Sequence, residues 1–355
     1  MTESPGVLIG LSNVLTRRRE RVPRAPEPDA AGLARLRTLS RRALEGREAF
    51  IHDGVLAGRR VRLFTNSHHL GDFWRDAFLS PTEWEGATGR PVPREPVLVL
   101  HAPVGVPGEP EGLHATAREV FLINTSYFAD LRAATCEAFA RLEEAGGAVV
   151  HGGAVDVGGR GCAWRYPREV IHPTPAWGLL ERPGAKLVAD GWMLVGADGR
   201  VQSLEKQLYV RTSVVAAYPA VAPKLLRCKF ENVPMPSPPE MEALLPRARE
   251  VMEAALRADP RKTLSSLPEP RALEFVARLL ADPNARFLCD PVQAFGRGRV
   301  AVATRPAVAF SLRAAGGEPL AAGAVEPFAC PGFTLNVDAV PGHPREIVAL
   351  MERAA

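Results

Sequence analysis

The sequence lacks any long hydrophobic run. No apolar stretch among its 355 residues approaches the roughly 18 residues that a membrane-spanning helix needs. The N-terminal stretch "MTESPGVLIGLSNVLTRRR" has its arginines after its apolar residues, which is the reverse of the order in a secretory signal. These absences predict a cytoplasmic protein without a membrane partner.

Cysteine is scarce, and no C-x-x-C pair occurs. An odd number of cysteines at irregular spacing is atypical of a zinc site or a disulfide framework, and it predicts buried, reduced thiols. The five residues are Cys136, Cys162, Cys228, Cys289 and Cys330.

A strong excess of one charge is also absent. Lys and Arg total 44 and Asp and Glu total 40, which leaves a net charge of +4 spread along the chain. Such a balance does not predict a nucleic-acid partner. The one dense basic run, between residues 17 and 24, falls in a segment, 1–30, that we expect to be loosely ordered and solvated.

The pattern that is present is typical of an α/β protein. Apolar residues at helical spacing alternate with β-rich runs, and a polar-aromatic stretch, "SHHLGDFWRDAF", lies between two of those runs. We expect an N-terminal α/β domain over 31–115 and a second domain over 116–355. The predicted helices cover 31–50, 127–147, 176–182, 238–258, 269–282 and 343–355.

The stretch "AVVHGGAVDVGGRGCAWRY" predicts a β-hairpin. Two β-rich runs flank Gly158 and Gly159, which are typical turn residues. Because its glycines lie in a hairpin and not between a strand and a helix, this stretch does not indicate a dinucleotide site. A loop and then a short helix follow the hairpin, which is the place where a phosphate-binding loop would lie.

Three motifs in 151–215 carry a family resemblance. His151 and Gly152 open the hairpin, "LLERPGAKLVADGW" predicts a helix followed by an acidic strand, and "SLEKQLYVRT" contains an E-K-x-x-x-x-R-T pattern. Together they resemble the core of the HPr kinase and ATP-dependent phosphoenolpyruvate carboxykinase superfamily. The resemblance implies a P-loop-derived, β-rich core with flanking helices over 116–355.

The resemblance places the family's phosphate loop, G-x-x-G-x-G-K-[ST], at 166–174. Backbone N–H groups bind phosphate there only if glycine allows the close approach, so bulky residues and prolines oppose binding. The Lys position holds His172, which is mostly neutral at pH 7. The remaining cofactor-binding positions are occupied by Tyr166, Glu169, Ile171, Pro173 and Thr174.

The resemblance also implies roles for residues outside the loop. Asp190 corresponds to the acidic strand's metal ligand or catalytic base, although its second acidic position holds Gly191. His151 and His172 are candidate acid–base residues, or else an ordinary strand-end histidine and a neutral residue that opens the helix. The candidate anion-binding residues are Glu205, Lys206, Arg211, Arg227 and Lys229, whose alternative is a solvated or salt-bridged surface.

Three functional hypotheses follow. The first is a degenerate, pseudokinase-type binding or regulatory protein, whose partner is an active paralogue, a protein or peptide, or a small anion. The alternative is an active kinase or carboxykinase-like enzyme with a remodelled site, which would use ATP and Mg²⁺ on a small-molecule or peptide hydroxyl. The third is a structural partner subunit whose old cleft is filled by Trp164, Tyr166 and Trp177.

Overall fold

The protein has a mixed α/β architecture, which confirms the predicted class. No helix in the described part of the chain is long and apolar enough to cross a membrane. The computed structural model describes residues 14–15, 22–45, 49–143, 146–166, 175–211, 213–221, 229–231, 236–258, 269–281, 286–296, 298–313, 318–337 and 344–354.

Every helix predicted after residue 120 is present, and the short helices Ser213–Ala217 and Pro291–Phe295 are additional to the prediction. The predictions at 238–258 and 269–282 are confirmed to within one residue. The helices are α1 Ala30–Glu45, α2 His68–Ala77, α3 Pro81–Thr88, α4 Phe128–Glu143, α5 Pro175–Leu180, α6 Ser213–Ala217, α7 Pro238–Ala258, α8 Glu269–Ala281, α9 Pro291–Phe295 and α10 Pro344–Ala354.

The strands form three sheets. They are β1 Val14–Leu15, β2 Phe50–Leu56, β3 Arg59–Thr65, β4 Leu98–Ala102, β5 Gly112–Ala115, β6 Glu119–Ile123, β7 Gly147–Val157, β8 Arg160–Arg165, β9 Ala185–Gly196, β10 Val201–Ser203, β11 Leu208–Arg211, β12 Lys229–Glu231, β13 Arg286–Cys289, β14 Ala303–Thr304, β15 Pro306–Arg313, β16 Leu320–Ala322 and β17 Gly332–Asn336.

The first sheet has five strands in the order β2-β3-β4-β6-β5. β2 and β3 form an antiparallel hairpin, β3, β4 and β6 are parallel, and β5 pairs antiparallel with β6. The sheet therefore extends to residue 123, and the predicted domain boundary at 115 falls between two paired strands.

Two local features of this region differ from the sequence expectation. The helix predicted at 31–50 ends at Glu45, and β2 begins at Phe50. The stretch 68–77 is the helix α2, whose N-cap Ser67 accepts a hydrogen bond from the Leu70 backbone at 3.3 Å. The buried apolar residues of α2 have helical spacing, at Leu70, Phe73, Trp74 and Ala77. The polar residues between them made this amphipathic pattern hard to recognise in the sequence.

The second sheet has eight strands in the order β14-β10-β9-β7-β8-β15-β17-β16. β7 and β8 are antiparallel and turn through Gly158 and Gly159, whose φ values are 63° and 89°, which confirms the predicted hairpin. β9 pairs with the other edge of β7, and β15 runs parallel to β8.

The two faces of this sheet belong to different cores. Cys162 and Trp164 on β8 point to the larger core, which is built with α5, α6, α7, α8 and α10. Ala163 between them points to a smaller core that contains Val325 and Phe328. The alternation along β8 is the period of two that a strand covered on both faces requires.

The third sheet is small, with the order β1-β12-β13-β11. Cys289 on β13 is disulfide-bonded, so the prediction of reduced thiols is wrong for this residue. Cys136, Cys162 and Cys330 are free. The prediction used the spacing of cysteines along the chain, and that spacing does not show which cysteines lie close together in the folded protein.

Candidate functional site

The segment at which the resemblance places a phosphate loop connects a strand to a helix. β8 ends at Arg165 and α5 begins at Pro175. Tyr166 is the one predicted loop position that the structure describes, and it is buried. The others, Glu169, Ile171, His172, Pro173 and Thr174, lie outside the described residues, as does Arg227.

Strand register brings His151 and Asp190 to one face of the second sheet. His151 on β7 lies opposite Trp192 on β9, and Gly153 lies opposite Asp190. The His151 ring makes an edge contact with Tyr166 at 4.7 Å between centroids and contacts Trp192 at 5.2 Å. The two predicted catalytic residues within the described part of the chain are therefore on adjacent strands.

Asp190 belongs to a cluster of buried polar and charged side chains. We call it the buried charge cluster, and it is formed by Arg132, Asp190, Glu205 and Tyr209. The Glu205 carboxylate is fully buried and accepts bonds from both Nε and Nη2 of Arg132, the latter at 3.0 Å. It also accepts from the Trp192 backbone N–H at 3.1 Å and from the Tyr209 hydroxyl at 3.4 Å. Four donors therefore saturate this carboxylate.

Sequence reasoning missed Arg132, which α4 brings to Glu205 from 73 positions away. Its guanidinium also lies over the Tyr209 ring at 4.2 Å. Burial by itself would lower the pKa of Arg132, but the Glu205 carboxylate more than offsets this and raises it. One signal was present, because Arg132 is four residues from Phe128 and from Cys136, which are both buried on that helix.

Asp190 is the member of the cluster whose protonated form is favoured by burial. Its side chain is buried and accepts a hydrogen bond from the Tyr209 backbone N–H at 2.9 Å. Burial raises the pKa of Asp190 to about 8, the Tyr209 N–H opposes this rise, and the nearby Glu205 carboxylate adds to it. A pKa in this range favours the protonated carboxyl group at pH 7.

Gly191 occupies the position at which the resemblance expects a second acid, and the cluster leaves no room for one. A Cβ built on Gly191 would lie 2.5 Å from Glu205 Oε2 and 3.1 Å from Arg132 Nη2. The residue also has a φ of 152°, which side chains rarely adopt. The ion pair between Arg132 and Glu205 therefore occupies the space that a side chain at position 191 would need.

Among the side chains that the structure describes, the predicted anion-binding residues do not all lie at one point. Lys206 points away from Glu205, and its Nζ donates to Glu83 Oε1 of α3 at 2.7 Å. Arg211 is half-buried on β11 and interacts electrostatically with Tyr166. Lys229 lies on β12, and its side chain is outside the described residues. Glu205 is itself a buried anion, so the cluster resembles a neutralised core more than an anion site.

The aromatic residues of this region are packed into the interior. Trp164 lies against the Cα of Gly153, where any side chain would collide with its ring. Trp177 on α5 packs against Phe295 at 4.7 Å between centroids. Trp164, Tyr166 and Trp177 are all buried in the larger core.

Metal-binding groups are not concentrated here. Within the described residues, no group of three or more His, Cys, Asp or Glu side chains is placed so that it could hold a metal ion. Asp190 is the one acid of the predicted metal position, and a carboxyl group must lose its proton to act as a ligand.

Comparison with known proteins adds no relative: no protein-family model matches this chain, and no curated protein is significantly similar to it. The kinase-like resemblance therefore depends on the sequence motifs alone.

Proposed function

We propose that the protein is a degenerate member of the HPr kinase and phosphoenolpyruvate carboxykinase superfamily, acting in the cytoplasm by binding or regulation without ordinary ATP-dependent phosphoryl transfer. The observation that carries the proposal is the buried charge cluster. Its ion pair fills the space beside Gly191, where the resemblance expects the second acidic ligand, and burial favours the protonated form of Asp190, where the resemblance expects the first.

The electrostatics of the cluster support a loss of nucleotide–metal binding. A Mg²⁺ ion keeps several water ligands and usually binds to a protein through one or two carboxylates and the substrate phosphates. Here Asp190 would have to lose a proton that burial favours, and the Glu205 oxygens already accept four hydrogen bonds. Both changes remove negative charge that a metal ion would need.

The packing of Trp164, Tyr166 and Trp177 supports a binding or structural role. Their rings fill the interior beside the degenerate loop, which is consistent with a scaffold retained for its shape. The partner that this role implies is an active paralogue, another protein or peptide, or a small anionic ligand.

Calorimetric titration with ATP and Mg²⁺ tests the proposal. We expect no saturable binding at micromolar concentration for the wild-type protein. Micromolar affinity that Asp190→Ala abolishes would overturn the proposal. Asp198→Ala is the matched control, because Asp198 is an exposed acid in the turn after β9.

One observation favours a second candidate, an active phosphotransferase with a remodelled site. Asp190 has a pKa of about 8 and lies on the same sheet face as His151, and groups that titrate near neutral pH suit general acid–base catalysis. In that enzyme Asp190 would be the base and Arg211 would hold the anion, while ATP and Mg²⁺ would be required.

The rate of ADP formation from ATP and Mg²⁺ separates the two candidates. The second candidate predicts that His151→Ala and Arg211→Ala each abolish turnover while the circular dichroism spectrum is preserved. Arg200→Ala, which changes an exposed arginine, should leave the rate unchanged. Equal product formation in all three variants would eliminate this candidate.

A further inference from the structure

A cavity of about 450 Å³ opens at the turn end of the β7–β8 hairpin, away from the buried charge cluster. Its apolar wall is assembled from five elements of the fold, namely β7, β8, α5, β15 and α10. The wall includes Val157, Cys162, Leu179, Val308 and Met351. Clefts of about 300 to 1,000 Å³ with mostly apolar walls are typical of small-molecule sites.

The mouth of the cavity carries charge. Arg160, Arg182 and Glu352 line it, and Arg182 forms a two-pronged ion pair with Glu352 of α10. The Arg182 side chain is 56% exposed and that of Glu352 is 26% exposed. A forked guanidinium therefore faces solvent at the edge of an apolar chamber, in contact with a carboxylate.

Arg182 is held in place by a second arginine. Arg299 Nε donates to the Ala185 carbonyl at 2.6 Å, and its Nη2 donates to the carbonyls of Leu180 and Arg182. These bonds fix the turn between α5 and β9, so the guanidinium projects from a rigid backbone. A preorganised cation binds a ligand without the cost of ordering a loop.

Glu352 is the displaceable member of the pair. It lies in the last turn of α10, which ends at Ala354, where the helix dipole disfavours negative charge. Within the described residues, Arg182 is the one hydrogen-bond donor to the Glu352 carboxylate. A ligand carboxylate can therefore take the place of the Glu352 carboxylate on the Arg182 guanidinium, because both make the same paired hydrogen bonds.

The deep wall excludes a second charged group. The Cys162 thiol is 5% exposed, and burial raises its pKa to about 12, so it remains neutral. Leu179, Val308 and Met351 are buried beside it. A ligand with one charged end and one apolar end matches this arrangement.

We propose that this cavity is a binding site for a small monocarboxylic acid with an apolar tail, whose carboxylate pairs with Arg182 in place of Glu352 while the tail lies against Leu179, Val308 and Met351. The site is separate from the buried charge cluster: it lies at the start of β8, whereas the degenerate loop follows its end. The proposal is therefore independent of the proposed function.

Calorimetric titration with sodium octanoate tests the proposal on the full-length protein. We expect a dissociation constant below about 1 mM for the wild type. Arg182→Gln should weaken binding by about tenfold, because it removes the charged hydrogen bonds, whereas Glu352→Gln should tighten it, because it removes the competing carboxylate. Octylamine, which has the same tail and the opposite charge, should not bind measurably to the wild type.

Two further variants keep the test informative. Arg200→Gln removes an exposed, paired arginine at the opposite end of β9 and should leave octanoate binding unchanged. Ala307→Trp places a large ring on the cavity wall and should abolish binding. If the Arg182→Gln variant fails to fold, the expected tighter binding of octanoate to the Glu352→Gln variant still tests the proposal.

Three results would overturn the proposal. They are the absence of saturable octanoate binding to the wild type, equal affinities of the Arg182→Gln and Glu352→Gln variants, and undiminished binding to the Ala307→Trp variant. ATP binding is not measured in this experiment, so its outcome leaves the proposed function untouched.

Discussion

Asp190→Asn is the most informative substitution, because it replaces a buried carboxyl group by a neutral group of the same shape. The amide oxygen of asparagine can accept the Tyr209 N–H hydrogen bond that Asp190 Oδ2 accepts at 2.9 Å. If Asp190 is protonated in the folded protein at pH 7, the substitution removes little except the ability to titrate.

The magnitude follows from linkage. The pKa of Asp190 is about 8 in the folded protein and 3.8 without the protein environment. Between these values the folded state retains a proton that the unfolded state has lost, so stability falls as pH rises. The slope approaches about 1.4 kcal/mol per pH unit, which amounts to about 3 kcal/mol between pH 5 and pH 7. The contribution is fully present below pH 3.8 and is lost above pH 8.

The assay is urea unfolding of both proteins from pH 5 to pH 8, with the free energy of unfolding compared at each pH. The Asn variant should gain stability relative to the wild type as pH rises. His52, His101 and His114, whose pKa values burial lowers, titrate in both proteins, so their effects cancel in the difference.

A flat difference between pH 5 and pH 7 would refute this reasoning, since it would mean that Asp190 is ionised in the folded protein. A metal ligand or an ionised catalytic base at this position would then become plausible. Asp198→Asn, at an exposed turn, is the surface control.

Three further substitutions test the packing of the cluster by chemical denaturation. Gly191→Asp should destabilise the protein by more than about 3 kcal/mol, because the new side chain meets the buried Glu205 carboxylate. Its control is Gly199→Asp, at a turn with a φ of 75° and open space where a Cβ would lie, which should cost about 1 to 2 kcal/mol. Arg132→Met should lower the free energy of unfolding by about 3 to 5 kcal/mol, because it leaves Glu205 buried without its ion-pair partner. The double variant with Glu205→Gln should recover part of that stability, and no recovery would contradict the assigned ion pair. Lys206→Ala should cost less than about 1 kcal/mol, because its partner is half exposed.

Local signals predicted the elements that local physics determines. The hairpin turn at Gly158 and Gly159 was predictable because two consecutive positive φ values favour glycine. The helices at 238–258 and 269–282 were predictable because an amphipathic period extends over several turns. The helix α2 was not predicted, because its apolar positions are interleaved with histidine, aspartate and arginine.

The candidate site was predicted only in part. His151 and Asp190 were identified through motifs, and the strand register places them on one face. The adjacent Glu205 and Lys206 were both predicted as anion-binding residues. In the structure Glu205 is buried against Arg132, whereas Lys206 pairs with Glu83 of α3. Successive residues outside a helix commonly point in opposite directions, so adjacency in the motif did not imply a shared site.

The sequence by itself determined the α/β class, the hairpin and the longer helices. The tertiary structure alone decided that Asp190 is buried where its protonated form is favoured, that Arg132 pairs with Glu205, and that a Cβ at Gly191 would meet the Glu205 carboxylate. It also decided that residues as distant as Cys162 and Glu352 share a cavity. Propensity and periodicity act over a few residues, whereas desolvation, ion pairing and cavity shape depend on groups that only the folded chain brings together.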